Sequence, residues 1–314
     1  MGGAAARVNR RRAAAVGALV AAAATVLTWA LAYPQGSLDT TAVRVLADCA
    51  AVLSLGLAAV PMLDGQRHRD ELALRARAPL TVAAAVWVLA ETARLFLTAA
   101  QTVAVRVDRL GLSTAVEFVT GTAAGRAGGL AVAAAAVVCV AAGAAPRSTA
   151  TTVVAAGVAA VGVAARQLSG HLADSSLGGL AVTAHTLAAA LWCGLLAALV
   201  LTVDHRGQWA RILPRFSQLS LVCVVVLVTG GVVAAAGRLG APAELFGTGY
   251  GRLLLAKVVM TAVLVGLGWR NRTMWVPAAR THRATAARSR TRSDVETGLM
   301  IVALALAAGL AVTG

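Results

Sequence analysis

Apolar residues in this chain fall in long unbroken runs, without the alternation of a strand or the stripe of an amphipathic helix. Runs of about 18–24 residues recur along the whole length, each long enough to cross a hydrocarbon core of ~30 Å. They predict helices over about 13–32, 41–62, 80–102, 127–144, 150–167, 179–203, 216–237, 251–270 and 297–313. The polar stretches between them read as loops. One carries Arg67, Arg69, Arg75 and Arg77 and leads through Pro79 into the third helix. Another is a tight turn at Pro146-Arg147, and a third holds Arg206, Arg211 and Arg215. A long basic loop from Arg270 to Arg292 reads as a solvated anchor near anionic headgroups. The moderately apolar stretch 104–126, with Asp108, Arg109, Glu117 and Gly121, reads as an outer loop holding a short amphipathic helix. Two more outer loops carry Gly170, His171 and Asp174, then Pro242, Glu244 and Tyr250.

Threaded this way, the segments on one side hold nineteen of the 27 arginines, so that side is the cytoplasm. The expectation is an all-α polytopic transmembrane bundle of about nine spans, amino terminus inside and carboxyl terminus outside. The apolar stretch after Arg7, Arg10, Arg11 and Arg12 is too long for a signal core and reads as an uncleaved helix. A weak division near 168 separates a five-helix part, 1–167, from a four-helix part, 168–314.

Composition refines this picture in two ways. The chain is 59% hydrophobic and 13% charged, dominated by Ala and Val, so its helices are expected to pack closely through small side chains. Its net charge of +15 is distributed by topology, which points to a lipid bilayer and away from nucleic acid. Cys49, Cys139, Cys193 and Cys223 all lie inside apolar runs with no CxxC pair, so no disulfide framework is expected.

Ionisable residues inside spans cost several kcal/mol unless paired or hydrated, which makes them candidates by default. The second predicted helix carries Arg44 and Asp48 at i,i+4, and the third carries Glu91 and Arg94 at i,i+3. Either pair could fix helix packing or line a path. His185 lies in the sixth helix, and Lys257, the lone lysine of the chain, in the eighth. At 1.5 Å per residue, Asp48, His185 and Lys257 all sit roughly 10 Å below the outer ends of their helices. Their common depth predicts one polar vestibule beneath the outer surface. Trp192 and Cys193, at i+7 and i+8 from His185, share roughly its face, and Cys193 is a candidate softer ligand deeper in. His171 precedes His185 by 14 residues, close enough to pass a cation inward. Imidazole suits Cu, Zn, Fe and Ni alike, and Met62, Met260, Met274 and Met300 form no methionine track.

The run Ala184-His185 through Trp192-Cys193-Gly194 resembles a helix of CopD-type copper resistance membrane proteins, in which His is followed by small residues and Trp-x-Gly-Gly. Leu195 stands at the second Gly position. The resemblance continues through Phe216-Ser217, Thr229-Gly230-Gly231, Gly249-Tyr250-Gly251-Arg252 to Lys257, and Trp269-Arg270-Asn271-Arg272. It covers about 170–314, and the earlier half resembles the additional helices of longer actinobacterial relatives. The resemblance implies handling of copper ion at the cytoplasmic membrane, beside a CopC-like extracytoplasmic copper-binding partner. It also implies copper contacts at His171 and His185, with Trp192, Tyr250, Arg252 and Lys257 as structural or gating positions.

The function expected is therefore copper uptake through an outer histidine site, with no enzymatic activity. A non-transporting assembly or scaffold protein for a copper enzyme such as a terminal oxidase is the alternative. A haem-b carrier needs facing histidines on two helices, and the chain has one histidine within a span. No nucleophile–base constellation or HExxH motif supports a hydrolase.

Overall fold

The computed structural model describes residues 2–144, 148–169, 176–236, 244–275, 277 and 286–313. His171, the Pro146-Arg147 turn, Pro242 and the middle of the basic loop lie outside them. The described residues are mostly helical, with no strand: α1 (Gly2–Ala32), α2 (Leu38–Ala59), α3 (Gln66–Thr102), α4 (Leu112–Gly121), α5 (Ala123–Ala144), α6 (Thr149–Ala165), α7 (Ser176–Thr202), α8 (Arg206–Ala236), the single turn α9 (Glu244–Gly247), α10 (Gly249–Arg270) and α11 (Ala286–Thr313).

Eight of these helices are long and apolar enough to cross a membrane. The other apolar helix, α6, has 17 residues, about 25 Å, at the lower limit for a crossing. Helices α1 and α11 run parallel, since Gly17 lies beside Ile301, Thr28 beside Gly309 and Gly36 beside Val312. Parallel first and last spans require an odd number of crossings, and the count becomes odd when α6 crosses. Leu19, Leu89, Val140 and Val232 are exposed on the outside of the bundle, where lipid chains replace water as solvent.

Several helices start earlier than hydropathy indicates. The arginine-rich stretch expected as a loop before the third span is instead the first three turns of α3, with Pro79 inside the helix. Likewise α8 begins at Arg206 and carries Pro214 internally, and α11 begins at Ala286, eleven residues before the expected start. Ala, Leu, Arg and Glu dominate these extensions and are strong helix formers whether or not lipid surrounds them. Apolar length marks the membrane-buried part of a helix and leaves its aqueous turns unseen. The expected short helix in 104–126 is α4.

The extensions carry arginines to the ends of neighbouring helices. Arg77 Nε donates to the Ala142 carbonyl at 2.9 Å and its Nη2 to that of Gly143, at the end of α5. Arg290 donates to Val203 O at 2.9 Å just past α7, and Arg215 to Leu63 O at 3.0 Å beyond α2. At the opposite end, Arg252 donates to Leu31 O at 3.1 Å and Tyr33 O at 2.8 Å, and Arg44 to Ala311 O at 3.3 Å. Each places a guanidinium where terminal carbonyls lack partners and the helix dipole is negative. Asp204 joins Arg75, at 3.3 Å, to Arg290, at 2.9 Å, and Asp64 takes Arg211 at 3.2 Å. The described basic segments are thus bonded into the bundle, a correction to the purely solvated anchor expected for 270–292.

Helix α7 sits near the middle. It meets α2 at Gly194 and Gly56, where a Cβ on either residue would overlap the other helix's backbone. Where α6 packs on α2 and α5, its Gly162 leaves room for the fully buried ring of Trp87 from α3. Small residues here let backbones approach where lipid offers no hydrophobic drive to association. Gly194→Val should separate α2 from α7 and destabilise the bundle by about 1–3 kcal/mol or more. A lowered thermal unfolding midpoint in detergent checks this, with Gly65→Val, whose added Cβ would meet nothing, as the neutral control.

Candidate functional site

Two polar groups lie in the outer half of the bundle. The first joins α2, α3 and the turn after α6. Glu91, fully buried, accepts from Arg94 Nε at 2.9 Å and Nη2 at 2.5 Å. Arg166 stands between Glu91, at 3.5 Å, and Asp48, with which it forms an ion pair and hydrogen bond. Arg44 approaches Asp48 from one turn away at 3.9 Å. The two short-range pairs legible in sequence thus become one network through Arg166. Among the described residues it joins three guanidiniums to two carboxylates. Arg166 ends the apolar run of α6, and its position inside the predicted 150–167 helix was the available signal.

The second group lies on another face of α7. His185 packs on Gly230 and Gly231 of α8, where an added Cβ would fall 3.0 Å from the His185 Cβ and 3.3 Å from its Cε1, respectively. Nδ1 lies 2.7 Å from the Leu227 carbonyl. A carbonyl accepts only, so Nδ1 carries a proton, and in the neutral ring Nε2 keeps its lone pair. Nε2 has no hydrogen-bond partner among the described residues, and the ring is half-buried. This is the arrangement by which a backbone carbonyl orients an imidazole for a metal. Lys257 of α10 is close enough to act electrostatically on the same ring.

The two groups do not form the single vestibule expected from their shared depth. His185 and Gly194 are nine residues apart, half a turn around α7, and Gly194 faces α2. Helix α7 therefore stands between His185 with Lys257 and the network built on α2 and α3. Depth along each helix was readable; rotation about it was not. Among the described residues, no group of three or more His, Cys, Asp or Glu is placed to hold a metal ion. Cys193 is buried, and Trp192 is 3% exposed in the core. Arg252 closes the end of α1, and its neighbour Tyr250 is half-buried.

A third feature lies toward the opposite end. A cavity of about 100 Å³ opens between α8 and α10, lined by Trp192, Phe216, Ser217, Asn271, Arg272 and Glu296 among others. Glu296 is 3% exposed and accepts from Asn271 Nδ2 at 2.7 Å. The sequence reading missed it because the ninth helix was started one residue later.

The Arg166 network has a measurable weight. Arg166→Met leaves a buried Glu91 and a part-exposed Asp48 without their shared cation, at a cost near the lower end of about 3–5 kcal/mol. Adding Glu91→Gln should recover part of that loss, as chemical unfolding of both variants in detergent would show.

Residues 37–182 match the family described as Copper resistance protein D-like, N-terminal domain, and residues 210–310 match Copper resistance protein D. No curated protein and no solved structure matches the chain. The second match contains Gly230, Gly231, Lys257 and Glu296, the first contains the whole Arg166 network, and His185 and Trp192 fall between the two matched segments. Two consecutive family matches on a multi-pass helical bundle identify the chain as a member of the CopD-type copper resistance protein family.

Proposed function

We propose that this protein takes up copper across the cytoplasmic membrane, receiving the ion from outside at His185. The carrying observation is the imidazole fixed by the Leu227 carbonyl and seated on Gly230–Gly231, with Nε2 free. A single imidazole does not hold copper alone, so further ligands come from outside the described residues. His171 is the proposed partner, and a CopC-like extracytoplasmic protein is the proposed donor. Cys193, eight residues deeper on α7 than His185, is the proposed softer contact further along. Arg252 holds the outer end of α10 against α1, Tyr250 is a proposed gating position two residues before it, and Lys257, which acts electrostatically on the His185 ring, is the proposed regulator of occupancy.

Replacing His185 with Ala or Gln should lower cell-associated copper to the level of a deletion strain, with protein abundance in the membrane unchanged. Normal accumulation in both variants would remove the proposal. If total copper stays normal while terminal-oxidase activity falls, the protein acts in assembly of a copper enzyme instead. Lys257→Met should strengthen copper retention by about tenfold, equivalent to ~1.4 kcal/mol, in equilibrium dialysis of the purified protein. Weaker retention would make Lys257 a supporting group and not an opposing one.

A further inference from the structure

The cavity between α8 and α10 contains a carboxylate that none of the copper chemistry above uses. Glu296 belongs to the membrane-spanning part of α11, Ser289–Thr313, and is 3% exposed. Its one hydrogen bond among the described residues comes from a neutral amide, Asn271 Nδ2 to Oε2 at 2.7 Å. The cation on the same cavity wall is engaged elsewhere: Arg272 Nη1 donates to the Ser217 carbonyl at 2.9 Å and to Ser217 Oγ at 3.1 Å. Most of the remaining wall is apolar, with Trp192, Leu213, Phe216 and Trp275. A buried carboxylate kept permanently ionised is normally given a cation, because its desolvation costs several kcal/mol. Here the cation is present and bonded to something else.

The backbone around the site is also unusual. Asn271 opens a π-helical turn, Asn271–Trp275, at the end of α10. Such turns mostly occur as single bulges, frequently at functional sites, and this one carries the amide that touches Glu296. The cavity has room for several waters, and Ser217 and Ser220 line it.

We propose that Glu296 is a proton-exchange site. As the acid it gives its proton to a water in this cavity, leaving a carboxylate that accepts from Asn271 Nδ2 and a hydronium in the cavity water, and the carboxylate takes a proton back from hydronium in the reverse step. The proton site stands independently of the copper reading; coupling of its charge to copper passage rests on that reading. Trp192 lies seven residues from His185, about 10 Å further along α7 on nearly the same face, so the histidine and the cavity lie along one side of that helix. The other titratable groups around Glu296 are few. Helix α7 presents Cys193, with Cys223 of α8 and Cys49 of α2 near that thiol. The π-turn presents Arg272, and Arg270 beside it is exposed. On α11 itself Arg290 is held by Asp204, Arg292 is half-buried and Asp294 exposed, and α1 contributes the exposed Arg12.

Infrared titration of the full-length protein in liposomes tests the proposal. A carboxylic-acid C=O band should disappear on alkalinisation in the wild type and in Glu91→Gln, and be missing from Glu296→Gln. The same band in Glu296→Gln, or no titrating band at all, overturns it. If Glu296→Gln does not fold, Asn271→Ala serves: losing the donor should move the band's titration to higher pH, and an unmoved titration overturns the proposal. Loss of one equivalent of bound copper in Glu296→Gln, with the band absent from the wild type, would make this a cation site instead. His185→Ala should abolish copper uptake and leave the band intact, so failure of the copper reading is separable from failure of this one.

Discussion

Contact between α2 and α7 with no side chain between them, at Gly56 and Gly194, separates the ion-pair network on α2 and α3 from the histidine on α7. In lipid there is no hydrophobic drive between helices, so close backbone approach and well-placed polar contacts hold the bundle. The seam fixes the rotation of α7 as well as its position. One face is committed to α2, and the opposite face turns His185 toward Gly230–Gly231 of α8. Once α7 is so oriented, the ion-pair network on α2 and α3 and the histidine on α7 occupy separate compartments, although both lie at similar depth.

Arginine does two jobs. Its distribution orients the chain across the membrane, and individual guanidiniums then close the carbonyl ends of helices from a neighbouring element. Arg77, Arg215 and Arg290 do this at one end of the bundle, Arg44 and Arg252 at the other. Arg suits both uses because it stays charged and offers several donors in a planar fork. Glu296 departs from this economy. It has a neutral partner while an arginine on the same cavity wall bonds to a serine, which is why the carboxylate invites a reading as a site that changes charge.

The copper reading and the proton reading draw on different faces of evidence. The first rests on one imidazole oriented by a carbonyl within a family of copper resistance proteins. The second rests on a buried acid, a π-turn and a cavity toward the other end of the bundle. They meet on α7, which carries His185 and Trp192 about 10 Å apart on nearly one face.

The membrane class, the approximate helix order and the uneven distribution of arginine among the loops were all determined by the amino-acid order alone. The reason is that apolar length and loop charge are local quantities tied to the bilayer's thickness and sidedness. The same order pointed to Glu91 with Arg94 and to Arg44 with Asp48, because i,i+3 and i,i+4 pairs need no tertiary information. What the tertiary structure decided was azimuth and partnership. Arg166 reaches Asp48 from 118 residues away, Glu296 finds Asn271 across 25, and α7 turns His185 away from the acids. Rotation of one helix against another is set by which small residues let two backbones touch, and that depends on both helices at once.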